Sequence, residues 1–169
     1  NASLKTKSNK EFIIPRSSGY IGVLIDDLVT KGTKEPYRMF TSRSEYRLLL
    51  RADNADLRLT PLGIDIGCVD IDRQREFEKK SKRIKEGFKF VKNYKFSPDA
   101  LLKKGIKINK DGKKRNIIDL LSFSNITTTK LKKILPELSD LEDDVIEQIE
   151  IEAKYAGYLD RQRMDIQDF

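Results

Sequence analysis

Apolar residues recur at helical spacing in three long stretches of the chain. From Tyr20 onward they follow the i, i+3, i+4, i+7 pattern of a helix that buries one face, and Gly32 is placed to end that helix. A longer pattern runs from Ile71 to about Val91, with Asp70 in position to cap its start. The apolar stripe of this second helix consists of Phe77, Ile84, Phe88 and Val91.

The third stretch predicts a closing helix over residues 139–163, where Ser139 and Glu142 have the spacing of a capping box. We expect its first apolar stripe to pack on the 71–91 helix. That stripe consists of Val145, Ile149, Ala153 and Ala156. A second stripe either completes the core or stays available to another domain, a partner or a nucleic-acid base. It consists of Ile151, Tyr155 and Tyr158.

Shorter elements are predicted from caps and terminators. Thr60 and Pro61 supply the cap and the first residue of a short helix that ends near Gly67. Brief helices are expected at 98–105, 116–122 and 129–135, with a turn at 110–112 between short extended pieces. The predicted fold class is mainly α: a helical bundle-like C-terminal domain with long helices near 71–91 and 139–163, plus short extended segments.

The segment from Pro36 to Thr60 contains five arginines and no lysine. Guanidinium is a planar, permanently charged fork that suits phosphate or carboxylate, whereas lysine is a point charge that is usually solvated. Residues 43, 47 and 51 recur every four positions, which places their side chains on one face of a helix and equally on one side of a strand. The candidate anion-binding residues are Arg38, Arg43, Arg47, Arg51 and Arg58.

Both the structure and the role of this segment have alternatives. Ser42 and Glu45 fit a helical capping box, while residues 46–51 fit a short buried strand, which we favour. The arginines also have Asp53 and Asp56, besides Glu45, as nearby carboxylates. In that case they brace a junction and bind no ligand.

Charge is unevenly distributed along the 169 residues, which carry a formal net charge of +7. Between Leu101 and Leu135 there are ten Lys or Arg and two acids, whereas the stretch from Pro136 to Phe169 has three bases and eleven acids. The apolar runs fall short of the ~20 residues of a membrane span, and the polar start does not resemble a signal peptide. We therefore expect no membrane insertion and a cytoplasmic location.

Several residue types needed for independent chemistry are missing. The chain has no histidine and one cysteine, Cys68, which we expect to be a small buried side chain. Gly19 and Gly22 lack the spacing and the preceding strand of a dinucleotide-binding motif. Adjacent Asp26 and Asp27 are predicted to lie on a solvated helix face. We expect no catalytic residue, no metal ligand and no bound cofactor in this chain by itself.

The segment PYRMFTSRSEYRLLLRADNADLRL resembles the signature of the MnmG (GidA) family, the tRNA uridine 5-carboxymethylaminomethyl modification enzymes. GYIGVLIDDLVTKGTKE before it and TPLGIDIGCVD after it resemble the same family, as does EIEAKYAGYLDRQ near the far end. The residues of this second family segment singled out by the resemblance are Lys154, Tyr155, Tyr158, Arg161 and Gln162.

The resemblance implies a parent enzyme that uses FAD, reduced by NADH, and methylenetetrahydrofolate to modify the wobble uridine of tRNA. It also implies a homodimer that works with the GTPase MnmE. In the family most of the FAD-binding domain precedes the matched part. The implied organisation is a connecting arm (1–16), an arginine-rich junction (17–70) and a helical C-terminal domain (71–169), with the small terminal subdomain of the family expected to be absent.

Three functions from different classes are compatible with these observations. The first is the tRNA-binding and partner-binding portion of a flavoenzyme, inactive alone, and it is the one we favour. The second is an autonomous basic RNA-binding helical module. The third is a purely structural helical scaffold. The salt dependence of tRNA binding separates them, because each neutralised phosphate releases counterions.

Overall fold

The computed structural model describes residues 1–7 and 11–167, which form a mainly helical fold. A π-helical turn (Asp27–Lys31) follows the second helix, and 3₁₀ turns occupy Thr41–Arg43 and Pro136–Asp140. The predicted class, mainly α with short extended segments, is confirmed. The helices and strands are α1 (Ala2–Lys7), α2 (Tyr20–Asp26), α3 (Ala55–Asp65), α4 (Ile71–Asn93), β1 (Lys95–Phe96), α5 (Pro98–Lys103), β2 (Arg115–Asn116), α6 (Ile117–Leu121), α7 (Thr128–Ile134) and α8 (Asp143–Gln167).

The chain divides into two compact units. The first contains the residues up to Glu78 together with those from Tyr158 onward, and the second runs from Lys79 to Gly157. The division into arm, junction and helical domain made from the sequence stays a prediction. None of the described helices combines the length and the apolarity that a bilayer-spanning segment requires.

In the first unit, the segment that precedes α2 packs closely on α2. Gly22 is buried, and a Cβ atom there would overlap the carbonyl oxygen of Ile14 and lie 2.5 Å from that of Pro15. Only a glycine leaves room for this approach of two backbones. The apolar core of the unit includes Val23, Leu50 and Leu159, each nearly or fully buried.

In the second unit, α4 packs against the start of α8. Gly87 is buried at this contact, where a Cβ atom would overlap Val145 Cγ1 and lie 3.8 Å from Ile149 Cδ1. The expected packing of the first stripe of the closing helix on α4 is therefore confirmed. Arg83 of α4 adds ion pairs with two acids near the start of α8, Glu142 and Asp144.

The short elements of the second unit include a strand pair and three helices. β1 and β2 pair antiparallel, with Phe96 opposite Arg115. Ser97 Oγ accepts a hydrogen bond from the amide of Ala100 at the start of α5, and Asn116 forms a capping box with Asp119 at α6. The brief helices predicted at 98–105, 116–122 and 129–135 are confirmed as α5, α6 and α7.

Two predicted helix starts are wrong. α3 begins at Ala55, so that Pro61 lies inside it. The side chain of Asn54 donates to the carbonyl of Leu49 at 3.0 Å and accepts from Arg58 Nε at 2.8 Å, which connects the first turn of α3 to the preceding loop. α8 begins at Asp143 and not at residue 139, because Pro136–Asp140 forms a 3₁₀ turn that includes the predicted capping serine.

Residues 46–51, which we expected to form a strand, form a turn. The amides of Leu49 and Leu50 donate to the carbonyl of Tyr46 at 2.9 and 3.1 Å. Leu50 is 2% exposed, so the apolar run does contain a buried anchor. Among residues 1–7 and 11–167, the only strand pairing joins β1 to β2, so this run has no edge to pair with.

The expectation that Cys68 is buried is also wrong, since the residue is exposed. Gly67 has a positive φ of 72° and ends α3, as predicted. The amide of Cys68 then donates to the carbonyl of Gly63 at 2.8 Å. This helix-ending turn places the cysteine outside the apolar core.

Candidate anion-binding site

Asp27, the first residue of the π-helical turn, is the centre of a polar network in the first unit. Its side chain is 5% exposed. The carboxylate accepts hydrogen bonds from Arg16 at 2.8 Å, from the Tyr37 hydroxyl at 2.8 Å and from Lys31 Nζ at 3.1 Å. The predicted solvated position of Asp27 is therefore wrong, because Arg16 in the arm reaches it from outside the helix.

Arg16 connects α2 to the arginine segment. Its Nη1 donates to Asp26 and Asp27, both at 2.8 Å, and its Nη2 donates to Glu45 Oε1 at 2.7 Å and to the carbonyl of Arg43 at 3.4 Å. The side chain is 22% exposed and has three carboxylate partners. Arg16 is therefore fully engaged within the protein and is unsuited to binding an external anion.

The ion pairs keep Asp27 and Glu45 ionised. The hydrogen bonds from Arg16, Tyr37 and Lys31 hold the pKa of Asp27 well below its usual range. Burial acts to raise the pKa of Glu45, but the hydrogen bond from Arg16 and its positive charge outweigh burial, so the net shift is downward. The hydrogen bonds to Glu45 and Asp27 raise the pKa of Arg16. At neutral pH these groups act as fixed charges, and Asp27 is unsuited to general base catalysis.

Tyr37 places Arg43 at the edge of the network. The Arg43 guanidinium lies over the Tyr37 ring, 4.6 Å from its centroid, and its Nη1 is 4.0 Å from Asp27 Oδ2. Burial raises the pKa of the Tyr37 phenol, and its hydrogen bond to Asp27 has the same effect. The Arg43 side chain is 42% exposed, so it is only partly covered by the tyrosine ring and the network.

The other four arginines of the segment divide into two pairs. Arg51 donates to Asp53 and to the carbonyl of Leu48, so the alternative in which an arginine braces the junction is correct for Arg51. Arg58 donates to the carbonyls of residues 18 and 51, and burial lowers its pKa. The other two, Arg38 and Arg47, are exposed.

The two exposed arginines have different surroundings. Arg38 lies over the Phe40 ring, 5.2 Å from its centroid. For Arg47, the described residues supply neither an ion-pair partner nor a hydrogen-bond acceptor. The structure therefore leaves three guanidinium groups of the segment available to an external anion: Arg38, Arg43 and Arg47.

The second family segment lies on α8. In the first unit, Gln162 Nε2 donates to the carbonyl of Glu45 at 3.3 Å, Arg161 is exposed and Tyr158 is 66% exposed. In the second unit, Lys154 is exposed and Tyr155 is 37% exposed. The alternative in which both tyrosines complete the core is therefore wrong.

Arg16 and Tyr37 are the site residues that sequence reasoning missed. Arg16 lies in the segment interpreted as a connecting arm, and hydrophobic periodicity gives no information about a single arginine in a loop. A signal was present in the isolated Asp26-Asp27 pair next to an apolar helix face. Two adjacent carboxylates with one turned toward the core require a cation nearby.

The arrangement can bind an anion through exposed guanidinium groups whose loop is held by the ion pair between Arg16 and Glu45. Histidine is missing from the chain, and no cluster of three metal-ligating side chains occurs in the part that the structure describes. Together, a mainly helical fold and an arginine-rich loop that is partly open to solvent define a helical domain with a cationic surface.

Comparisons with known proteins identify the class to which this domain belongs. The family model described as tRNA modifying enzyme MnmG/GidA C-terminal helical domain matches residues 72–163, more than half of the chain. The chain therefore belongs to the MnmG/GidA family.

Similar proteins include two curated MnmG enzymes, each described as a tRNA uridine 5-carboxymethylaminomethyl modification enzyme. That of a Nitratiruptor species is 43% identical over 170 residues, which cover 99% of this chain and 27% of the relative. That of Desulfitobacterium hafniense is 42% identical over 173 residues, with 100% and 27% coverage. Aquifex aeolicus GidA, in its form II crystal, matches with a TM-score of 0.81 and 33% identity over 99% of this chain and 26% of that one. The chain thus spans about a quarter of the length of these relatives.

Proposed function

We propose that this chain is the C-terminal part of an enzyme that installs the carboxymethylaminomethyl group on the wobble uridine of tRNA, and that it contributes tRNA and partner binding. The family membership supports the reaction. The observation that carries the binding role is the exposure of Arg38, Arg43 and Arg47 on one loop of the first unit. Guanidinium groups with open faces suit the phosphates of an RNA backbone.

Aromatic residues support the same role. Phe40 is 49% exposed and Tyr158 is 66% exposed in the unit that contains the arginines. Unpaired RNA bases stack on exposed aromatic rings and on guanidinium planes. The proposed surface therefore combines charge for the backbone with flat apolar faces for bases.

The experiment is the salt dependence of tRNA binding. For the proposed surface, log affinity falls linearly with log salt, by ~0.7–0.9 for each phosphate neutralised. Arg47→Ala lowers this slope by about one phosphate contact. Lys82→Ala is the matched control, because it removes one exposed cation from α4 in the second unit. Equal effects of the two substitutions, or no binding of tRNA by the chain at low salt, would contradict the proposal.

The cofactor chemistry belongs, in this proposal, to the rest of the parent enzyme. FAD, its reductant NADH and methylenetetrahydrofolate require a dinucleotide fingerprint and a folate site, and the glycine-rich fingerprint is missing from this sequence. The chain alone is therefore expected to be inactive and to leave the absorption spectrum of added FAD unchanged. A shifted spectrum with saturable binding would show that the flavin site extends into these residues.

Partner contacts and location complete the proposal. The prediction that the helix from Tyr20 buries its apolar face is wrong, because Ile21 and Ile25 of α2 are 48% and 52% exposed, and Val29 in the π-helical turn is 79% exposed. Apolar side chains grouped in this way suit a protein contact, as expected for a homodimer that works with the GTPase MnmE. We propose a cytoplasmic location for the parent, where its tRNA substrate is found.

Specific observations also favour each alternative in part. Ten basic residues between Leu101 and Leu135 favour an autonomous RNA-binding module. The internal partners of Arg51 and Arg58 favour a scaffold role for those two residues. Neither accounts for Arg47, which is exposed and is not engaged by the described residues.

A further inference from the structure

We infer that Arg16 and Gln162 are positioning residues for tRNA: they hold the loop that carries Arg43 and Arg47 without touching the RNA themselves. This inference rests on the proposed function and extends it to two residues outside the arginine segment. The supporting observation is that both side chains donate hydrogen bonds to Glu45. Glu45 lies between Arg43 and Arg47 in the sequence.

The loop needs external support because it has little regular structure of its own. A 3₁₀ turn covers Thr41–Arg43, and residues 45–50 form turns and a bend. The amides of Arg43 and Ser44 each close one local turn. Backbone bonds of this kind fix the curvature of a loop, whereas its position on the protein depends on side-chain contacts.

Those contacts come from both sides of Glu45. Arg16 Nη2 donates to the Glu45 carboxylate at 2.7 Å and to the backbone carbonyl of Arg43 at 3.4 Å. Gln162 Nε2 donates to the backbone carbonyl of Glu45 at 3.3 Å. The loop is thus connected to the segment before α2 by Arg16 and to α8 by Gln162.

The opposite end of Arg16 is itself fixed. Its Nη1 donates to Asp27, whose 5% exposed carboxylate also accepts from Tyr37, and the ring of Tyr37 lies under Arg43. Arg16 therefore acts on Arg43 by two routes, one through the backbone and one through the tyrosine ring. An arginine with three carboxylate partners and 22% exposure is itself unsuited to contact a phosphate.

Preorganisation explains why such support matters for binding. A flexible loop loses conformational entropy when its cation binds a phosphate, and this loss weakens binding. A loop that is already fixed in the folded protein has lost that entropy before binding. Removal of the support therefore weakens the contacts of Arg43 and Arg47 even though both side chains remain.

The test is a double-mutant cycle in the full 169-residue chain, read out as affinity for unfractionated tRNA against salt concentration. In the wild-type background, Arg16→Gln is expected to reduce the salt slope by about one unit per phosphate contact weakened. In an Arg43→Ala/Arg47→Ala background, the same substitution is expected to have no further effect, because the contacts that it positions are already missing.

Arg83→Gln is the matched control for charge and ion pairing. Arg83 also bridges two carboxylates, but it does so in the second unit, and its loss changes the net charge equally. It is expected to leave the salt slope unchanged. Should Arg16→Gln fail to fold, Gln162→Leu is measured in the same cycle, since it removes a single 3.3 Å hydrogen bond to Glu45 and leaves the buried ion pairs in place.

The outcomes separate the inference from the function on which it rests. If Arg43→Ala/Arg47→Ala weakens tRNA binding while Arg16→Gln has no effect, or has the same effect in both backgrounds, the positioning role is overturned and the binding role stands. If Arg43→Ala/Arg47→Ala has no effect on tRNA binding, both are overturned. A loss of thermal stability with an unchanged salt slope would reduce Arg16 to a purely structural role and overturn the inference.

Discussion

Gly87 provides a sharp test of the packing between α4 and α8. Replacing glycine by alanine in a helix interior gains about 1 kcal/mol of stability when the methyl group has space. At position 87 the added Cβ would overlap Val145 Cγ1, and Val145 is only 2% exposed. Overpacking of this kind typically costs about 1–3 kcal/mol, because a β-branched side chain in a packed helix has no free rotamer to adopt.

Gly157 on α8 is the matched control, since a Cβ atom there would have no neighbour within 4 Å. We expect Gly157→Ala to stabilise the chain by about 0.5–1 kcal/mol, and Gly87→Ala to be about 1–3 kcal/mol less stable than Gly157→Ala. Denaturant unfolding measures the free energy of unfolding of both variants, provided that their m-values are equal. For a protein of this size the difference corresponds to roughly 2–4 °C in Tm per kcal/mol.

A second substitution tests the identity of the contact. Val145→Ala removes Cγ1 and leaves Val145 Cβ, which is 3.8 Å from the position of the new methyl group. Val145→Ala alone is destabilising, because it leaves a cavity in the core. In combination the two changes should be less harmful than their sum, by about 1–3 kcal/mol. Additive effects within about 0.5 kcal/mol, or equal stability of Gly87→Ala and Gly157→Ala, would refute the proposed cause.

Three further predictions concern pH, capping and thiol access. Because the pKa values of Asp27 and Glu45 are lower in the folded chain, stability is highest above about pH 5 and falls as the pH drops below the unfolded pKa of about 4. The free energy of unfolding, measured with denaturant from about pH 7 to about pH 3, should depend less on pH for Asp27→Asn than for the wild type. Identical pH dependence of the two proteins would contradict the network. Asn116→Ala should cost about 1 kcal/mol in chemical unfolding through loss of the α6 capping box, whereas the exposed loop substitution Asn109→Ala should be close to neutral. Cys68 should react with a thiol reagent in the native chain without denaturant, and a requirement for unfolding would show that it is buried.

The sequence predicted elements whose signals are local. The stripe of α4, the cap at Asp70 and the terminator Gly67 all depend on residues of one element and its flanks, and the structure contains each of them. The start of α8 was misplaced because Pro136 favours a 3₁₀ turn that competes with the capping box at Ser139. When two local signals compete in this way, tertiary packing decides which of them forms. The spacing of residues in the sequence does not contain that information.

The candidate site was predicted in part. The segment rich in arginine was recognised by composition, and three of its guanidinium groups are open to solvent. The division between open and internal arginines was not predictable, since Arg51 pairs with Asp53 two residues away while Arg58 reaches the carbonyl of Ser18, forty residues earlier. Asp27 was misjudged for the same reason, because its main partner lies in another segment.

The close contact at Gly22 limits how this part of the protein can vary. Glycine is required at this position for steric reasons alone, since the carbonyls of Ile14 and Pro15 occupy the volume that any side chain would need. A saturation library selected for folded protein should return glycine at this codon and tolerate many residues at position 157. Gly22 and Gly157, which are the same residue type, would then differ entirely in the substitutions that they tolerate.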